Sequence, residues 1–282
     1  MAAEEAGFDS VWAGDSLLAR PRAEPLTLLA AVAARTTRVE LGTAVLLASM
    51  RNAEQLAQSA ATLDAISGGR LILGIGAGPD TPGVRSDFTL VGADFPRRSS
   101  LAFATADRVR ALWRGDGDPA SGVPGDGGDQ MFPLPGRFGG PPIWYGGSGP
   151  KALQRTGQRL DGWFPIVPTV DAFTAGLAGV RAAEAAAGRP AGEVTANLYA
   201  TVVLGEPAAA EAALAEHSEL YYGVPHTVIA RQQGSVAGLD EQVVAWLRGF
   251  IDAGADHLCI RFGCADARGQ LERFAALLPQ LR

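Results

Sequence analysis

A glycine-rich turn at the start of a predicted helix is the segment whose residue types point most directly to chemistry. It runs from Gly146 to Ala152 with the sequence GGSGPKA, and it follows a short apolar strand. The first N–H groups of a helix lack intrahelical acceptors, and the helix dipole favours anions there. Glycines also let a phosphate approach the backbone closely. The turn therefore predicts a phosphate site, although glycine turns also begin helices that bind no ligand.

Other nucleotide and nucleophile motifs fail on spacing. The GxxxxGK[ST] pattern of a P-loop is absent, and Pro150 breaks the G-x-S-x-G pattern of a nucleophile elbow. Gly74 to Gly78 reads GIGAG, but Pro79 stands where a dinucleotide fingerprint needs its third glycine. That segment is interpreted as a strand that ends in a tight turn.

Two residues are candidates for acid–base catalysis. Asp80 follows Gly78-Pro79, and His226 lies in an aromatic loop–helix segment after the sixth predicted strand. Active sites of α/β barrels form on such excursions after strands. The alternatives are an aspartate that caps a loop and a structural histidine. His217, on a helix rich in Ala and Glu, is predicted to face solvent.

A metal site is not predicted. The three histidines are scattered outside any metal-binding spacing, and two cysteines cannot form a four-cysteine zinc site. Trp163 and two further tryptophans, Trp12 and Trp144, lie at or in predicted strands. Such rings either flank a flat cofactor or pack in the core.

Alternating apolar runs and helical patterns predict repeated βα units. Seven strands are expected, at 10–15, 39–47, 70–76, 142–147, 162–167, 197–204 and 257–262. They predict an α/β fold of the (β/α)8 TIM-barrel class in one domain over 1–282. A closed barrel needs an eighth strand. Because residues 1–9 are interpreted as the end of a helix, the first strand is expected to be missing from the N-terminus. An open doubly wound sheet is the alternative, since it needs no closure.

Composition limits the class of protein further. With 47% hydrophobic and 19% charged residues, the composition excludes a disordered chain. The net charge is −6, and the sequence offers no basic patch for nucleic acid. We find no signal peptide and no apolar run long enough to span a membrane, which predicts a cytoplasmic protein. A Gly/Pro/Asp-rich excursion is expected at about 115–141.

Several segments together resemble the luciferase-like monooxygenase family, whose members are flavin- or F420-dependent (β/α)8 enzymes. The carrying segments are EAGFDSVWAGD at 5–15, LGTAV at 41–45, LDAISGGRL at 63–71, GIGAG at 74–78, PIWYGGSGP at 142–150, DGW at 161–163 and AGADH at 253–257. Their order and spacing match the family over nearly the whole chain. The GGSGPKAL form is most similar to the branch that uses coenzyme F420.

The resemblance implies a cofactor site at the C-terminal ends of the strands. Ring contacts would come from Ser16, Thr43, Ala44 and Trp163, with a cis peptide at Ala44–Val45. The phosphate would lie on the turn, and the implied cofactor-binding residues there and at the preceding strand ends are Gly76, Gly146, Gly147, Ser148, Gly149, Lys151 and Ala152. Many members carry His where this chain has Ser16, so no catalytic histidine is transferred to that position.

The implied function is hydride transfer between reduced F420, or alternatively FMN, and a small organic substrate, with or without oxygen. A separate reductase would be needed if FMN is the cofactor, and a homodimer is compatible with the family. Two alternatives stay open. One is a non-catalytic flavin-binding protein, suggested by Ser16. The other is a barrel enzyme whose substrate phosphate binds the glycine turn.

Overall fold

A computed structural model describes residues 1–114 and 139–282. The chain forms two compact units. The first comprises Asp9–Gly146 together with Met1, and the second comprises Ala2–Phe8 together with Gly147–Arg282. Most of the excursion expected at 115–141 therefore lies outside the described residues. The single domain over 1–282 stays a prediction.

Nine strands lie in the described residues, and all the pairs given below are parallel. They are β1 (Ser10–Ala13), β2 (Glu40–Thr43), β3 (Leu46–Leu47), β4 (Leu71–Gly76), β5 (Ile143–Gly146), β6 (Gly162–Trp163), β7 (Thr195–Leu204), β8 (Ser235–Gly238) and β9 (His257–Phe262).

Helices separate most of these strands, as the predicted βα rhythm requires. They are α1 (Ala2–Glu5), α2 (Pro25–Ala33), α3 (Ala53–Ser67), α4 (Pro82–Leu90), α5 (Arg98–Arg114), α6 (Pro150–Arg159), α7 (Val170–Ala186), α8 (Pro207–Tyr222), α9 (His226–Ile229), α10 (Asp240–Asp252), α11 (Ala267–Ala275) and α12 (Leu278–Leu281). The helix end predicted at the start of the chain is α1.

In the first unit, β4 is the central strand. It pairs with β2 and β3 on one side and with β5 on the other, and β2 also pairs with β1. All six residues of β4 are buried. A parallel strand covered on both faces reads as a continuous apolar run, which is why RLILGIG marked it in the sequence.

In the second unit, β7 is the long central strand and pairs with β6, β8 and β9. Alternate residues of a strand point to opposite faces. On one face Leu198 and Val202 pack with the apolar sides of α7 and α10, including Val180 and Leu247. The residues between them, such as Tyr199 and Thr201, belong to the other face.

Three strand predictions differ from the structure. The strand expected at 39–47 is divided into β2 and β3, because the chain turns at Ala44–Val45 between them. The strand expected at 162–167 ends at Trp163. The sequence analysis missed β8, whose residues SVAG form a strand of only 4 residues along the edge of β7.

Candidate functional site

The junction between β2 and β3 carries the backbone feature that the resemblance implied. The peptide bond between Ala44 and Val45 is cis. Thr43 is fully buried, and its hydroxyl donates to the carbonyl of Gly74 at 2.7 Å. The amide of Ala44 donates to the carbonyl of Ala13 at 2.8 Å. Neighbouring strands therefore fix this junction from both sides, which is the preorganisation that a ligand-binding backbone needs.

Gly76 ends β4 directly beside that junction. A Cβ atom on Gly76 would lie 2.5 Å from Cγ2 of Val45. A glycine is therefore required for Val45 to pack here. Gly76 is also in register with Gly146 at the end of β5, so two predicted cofactor-binding glycines are adjacent within the first unit.

A buried ion pair anchors β3, and the sequence analysis missed its partner. Asp15 is buried and accepts from Nη2 of Arg51 at 3.0 Å and from the amide of Leu47 at 2.9 Å. Buried carboxylates need partners of this kind. The strand-end acid was visible in the sequence, but nothing local connects it with an arginine 36 positions further on.

Ser16 follows Asp15 in a loop that α4 holds in place. The carboxylate of Asp87, itself buried, accepts from the amides of Leu18 and Ala19 at 3.1 Å each. The Ser16 hydroxyl accepts from the amide of Arg20 at 2.9 Å. That bond uses an oxygen lone pair, so the hydroxyl hydrogen remains available to a ligand.

Asp80 forms an exposed bidentate pair with Arg85, at 2.6 and 2.7 Å. Hydrogen bonding to Arg85, followed by its charge, holds the pKa of Asp80 below the usual value. The side chain therefore remains a carboxylate at neutral pH and is unsuited to donating a proton there. Its predicted catalytic role stays a prediction.

In the second unit, the glycine turn ends in an exposed helix N-terminus. Gly149 is the N-cap of α6, with no side chain bonded to the cap, and Pro150 begins the helix. Ser148, Gly149 and Lys151 are exposed. A Cβ atom on Gly149 would meet none of the described residues within 4 Å, and its φ of −71° suits any residue. Neither packing nor backbone conformation requires a glycine at this position.

The backbone donors of this turn are not equivalent. The amide of Ala152 donates to the carbonyl of Gly149 at 2.8 Å. The predicted phosphate contact of Ala152 must therefore compete with an internal hydrogen bond. A buried side chain holds the turn in place, because the indole Nε1 of Trp163 donates to the carbonyl of Gly147 at 2.9 Å.

Trp163 is an aromatic residue for which the sequence left a core position and a cofactor contact open. Its side chain is fully buried, and its ring packs against Phe173 with centroids 5.2 Å apart. This burial favours the core interpretation, and the hydrogen bond to Gly147 connects the ring with the predicted site. The predicted contact of Trp163 with a cofactor ring stays a prediction.

His226 connects the end of α8 with β8. Its Nδ1 lies 3.0 Å from the hydroxyl of Ser218, and its Nε2 lies 3.3 Å from the hydroxyl of Ser235. Burial lowers the pKa of His226. Because both ring nitrogens already have protein partners, proton transfer would require one of these contacts to break. The catalytic role of His226 stays a prediction.

The expectation that His217 faces solvent is wrong. The residue is half-buried, and its ring stacks on Tyr221 with centroids 5.3 Å apart and planes 10° from parallel. Burial, and after it the charge of Arg261, lower the pKa of His217. The spacing from His217 to Tyr221 is the i, i+4 spacing at which helical side chains meet, and this signal was available in the sequence.

These two histidines predict how stability depends on pH. In the folded chain both pKa values lie below the ordinary value of 6.5, so the unfolded chain binds more protons as the pH falls. We therefore expect the free energy of unfolding to decrease as the pH falls from 6.5 towards 5. Glu54 and Glu184 have lowered pKa values, so they take up protons only at lower pH. Urea unfolding at several pH values should show a shallower decrease for His226→Gln. Parallel profiles of the two proteins would contradict the assignment.

Two features are absent from the part of the chain that the structure describes. Within residues 1–114 and 139–282, no group of three or more His, Cys, Asp or Glu side chains is placed to hold a metal ion. Among the same residues, no helix combines the length and the apolar character that crossing a bilayer requires.

Comparison with solved structures identifies the class of fold. An F420-dependent secondary alcohol dehydrogenase, solved with an F420–acetone adduct, matches with a TM-score of 0.80 and 20% identity. The match covers 100% of this chain and 92% of that chain. The predicted fold class, α/β with parallel strands and related to luciferase-like TIM barrels, is thereby confirmed.

The sequence places the chain within that class. The profile of the family described as luciferase-like monooxygenase matches residues 1–256, and the chain belongs to this family. A phthiodiolone/phenolphthiodiolone dimycocerosates ketoreductase of Mycobacterium bovis is 32% identical over 239 residues, covering 72% of this chain and 59% of the relative. A 5,10-methylenetetrahydromethanopterin reductase of Methanolobus tindarius is 29% identical over 256 residues, covering 89% and 73%. The chain spans about three fifths of the length of the ketoreductase.

Proposed function

We propose that this chain is an oxidoreductase that transfers hydride between reduced coenzyme F420 and a small organic substrate. The observation that carries the proposal is the glycine turn. Gly149 stands at an exposed helix N-terminus where neither its φ nor packing requires a glycine. A backbone kept bare at such a position suits the close approach of a phosphate.

The residues of the first unit fit the flat part of such a cofactor. Thr43, held by its hydrogen bond to the carbonyl of Gly74, and Gly76, against which Val45 packs, end two neighbouring strands at this point. When bound, F420 supplies the hydride donor or acceptor. The chain's own residues would bind and orient the cofactor: Ser16 offers a hydroxyl hydrogen, and the amides of Gly147, Ser148, Gly149 and Lys151 would donate to the phosphate.

The choice of F420 over FMN is supported by the form of the turn and by the structural similarity to the F420-dependent secondary alcohol dehydrogenase. The ketoreductase and the methylenetetrahydromethanopterin reductase support reduction of an organic substrate. FMN remains the second candidate because the family description is that of monooxygenases. With FMN, a separate reductase would be required.

A side-by-side titration of the purified chain with F420 and with FMN, followed by cofactor fluorescence, tests the proposal. We expect saturable binding of F420 and at least tenfold weaker binding of FMN. A tenfold difference in affinity corresponds to about 1.4 kcal/mol of binding free energy. Reduced F420 should then be oxidised by at least some ketones, aldehydes or imines from a test panel, as hydride transfer requires.

Other outcomes separate the alternatives. Preference for FMN would move the proposal to a flavin monooxygenase. Tight binding of F420 with no acceptor turned over would favour the non-catalytic cofactor-binding protein. Binding of sugar phosphates without either cofactor would favour a phosphate-substrate enzyme. The homodimer and the cytoplasmic location remain part of the proposal, and light scattering on the purified chain tests the first of them.

A further inference from the structure

The face of β7 that points away from α7 and α10 carries polar and aromatic residues near its C-terminal end. Thr201 on this strand is in register with Arg261 on β9, one residue before β9 ends. In parallel α/β sheets, ligands bind beyond the carboxyl ends of the strands. Arg261 is therefore a positive charge at the edge where a substrate is expected.

Arg261 is surrounded by aromatic rings rather than carboxylates. Its guanidinium carbon lies 4.1 Å from the centroid of the Tyr221 ring and 5.6 Å from that of Tyr199. Its Nη1 atom is buried and donates no hydrogen bond, and the described part of the chain gives Arg261 no ion pair. A buried charged donor without an acceptor is costly, so its retention points to a ligand that supplies one.

His217 contributes a second buried polar atom to the group of residues around Tyr221. It stacks on Tyr221, and its buried Nε2 atom has no hydrogen-bond partner among the described residues. The imidazole of His217 and the guanidinium of Arg261 both lie against the Tyr221 ring, and burial, with the charge of Arg261 after it, lowers the pKa of His217. With its lowered pKa, His217 is neutral at neutral pH and donates one hydrogen bond when its proton is on Nε2.

Hydrogen bonds fix the aromatic wall that carries these groups. The hydroxyl of Tyr222 donates to Oε1 of Gln233 at 3.0 Å, and Nε2 of Gln233 donates to the hydroxyl of Thr201 at 2.6 Å. Gln233 and Thr201 are both buried. This connection holds the end of α8 against β7, so the rings of Tyr221 and Tyr222 are positioned before any ligand arrives.

We propose that Arg261 and His217 bind a carboxylate of the substrate. The guanidinium offers a permanent positive charge with planar donors that match a carboxylate, and the neutral imidazole adds one donor. The tyrosine rings around them favour a flat, unsaturated body next to the carboxylate. The inference rests on the proposed function only in assigning the carboxylate to the organic substrate. The anion site itself does not depend on that function.

Binding of benzoate and of benzamide to the cofactor-free chain tests the site. The two probes have nearly the same shape, and only benzoate carries a charge. By calorimetric titration we expect benzoate to bind at least tenfold more tightly than benzamide, because hydrogen bonds to charged groups are stronger than neutral ones. Arg261→Gln should abolish this preference, and Arg261→Lys should retain part of it. Arg268→Gln is the control, because Arg268 lies on the surface in an exposed pair with Glu272.

Several outcomes would overturn the inference. The first is equal binding of the two probes by the unchanged chain, a result that needs no variant and so does not depend on Arg261→Gln folding. A second is retention of the benzoate preference in a folded Arg261→Gln protein. A third is displacement of benzoate by saturating F420, which would assign the site to anionic groups of the cofactor. Failure of F420 to bind while benzoate binds would contradict the proposed function and leave the carboxylate site supported.

Discussion

Replacing Asp15 by asparagine is expected to lower the free energy of unfolding by about 3 kcal/mol. Removal of one partner of a buried ion pair typically costs about 3–5 kcal/mol, and the lower end applies because Arg51 retains some contact with solvent. The substitution removes the buried carboxylate partner of Arg51, which keeps the more exposed carboxylate of Glu24 at 3.4 Å, and it weakens the acceptor of the Leu47 amide. Urea unfolding followed by tryptophan fluorescence measures the change.

Asp80→Asn provides the matched control. Asp80 also forms a bidentate pair with an arginine, but both side chains are about half exposed. Exposed pairs contribute little to stability, so this variant should unfold like the original chain. A result in which Asp15→Asn is as stable as Asp80→Asn would show that the buried pair does not hold the strand end together.

The same substitution should also weaken cofactor binding. Asp15 holds the amide of Leu47 in β3, and β3 begins directly after the cis peptide at Ala44–Val45. A loosened β3 would release the strand end on which the flat part of the cofactor is proposed to lie. Asp80→Asn should leave F420 affinity unchanged, because the pair of Asp80 with Arg85 is exposed and does not support β3.

The elements that the sequence predicted well are those whose signals are local. Buried β4 is a continuous apolar run, and glycines followed by Pro150 indicate the start of α6. β8 had no such signal. Its SVAG sequence contains a single β-branched residue, and it forms a strand because the edge of β7 is available to pair with it. Tertiary context of this kind overrides intrinsic strand preference.

The residues of the candidate site also separate into those with local sequence signals and those that only folding brings together. The glycine turn and the strand-end glycines follow from short motifs, whereas the partners that hold them lie far away in sequence. Arg51 and Asp15, or His217 and Arg261, are brought together only by folding. For Trp163 the sequence left both a core position and a cofactor contact open, and its full burial favours the core. An aromatic residue beside a predicted site is more often part of the core that supports the site than part of its lining.

Gly149 offers the sharpest separation of stability from binding. Asparagine and aspartate are both strong N-cap residues, and either side chain would enter open space at this position. Both variants should therefore fold as well as the original chain or gain a few tenths of a kcal/mol. Only Gly149→Asp places a negative charge where the phosphate is proposed to bind.

The expected result is that both variants bind F420 more weakly than the original chain, because the added side chain limits the approach of the phosphate, and that Gly149→Asp binds at least tenfold more weakly than Gly149→Asn. Like charges about 4 Å apart repel by about 1–4 kcal/mol near a protein surface, and each 1.4 kcal/mol is a tenfold change in affinity. Added salt should narrow the difference, because the repulsion is exposed to solvent. Equal affinities of the two variants would remove the phosphate from this turn, and with it the observation on which the proposed function depends.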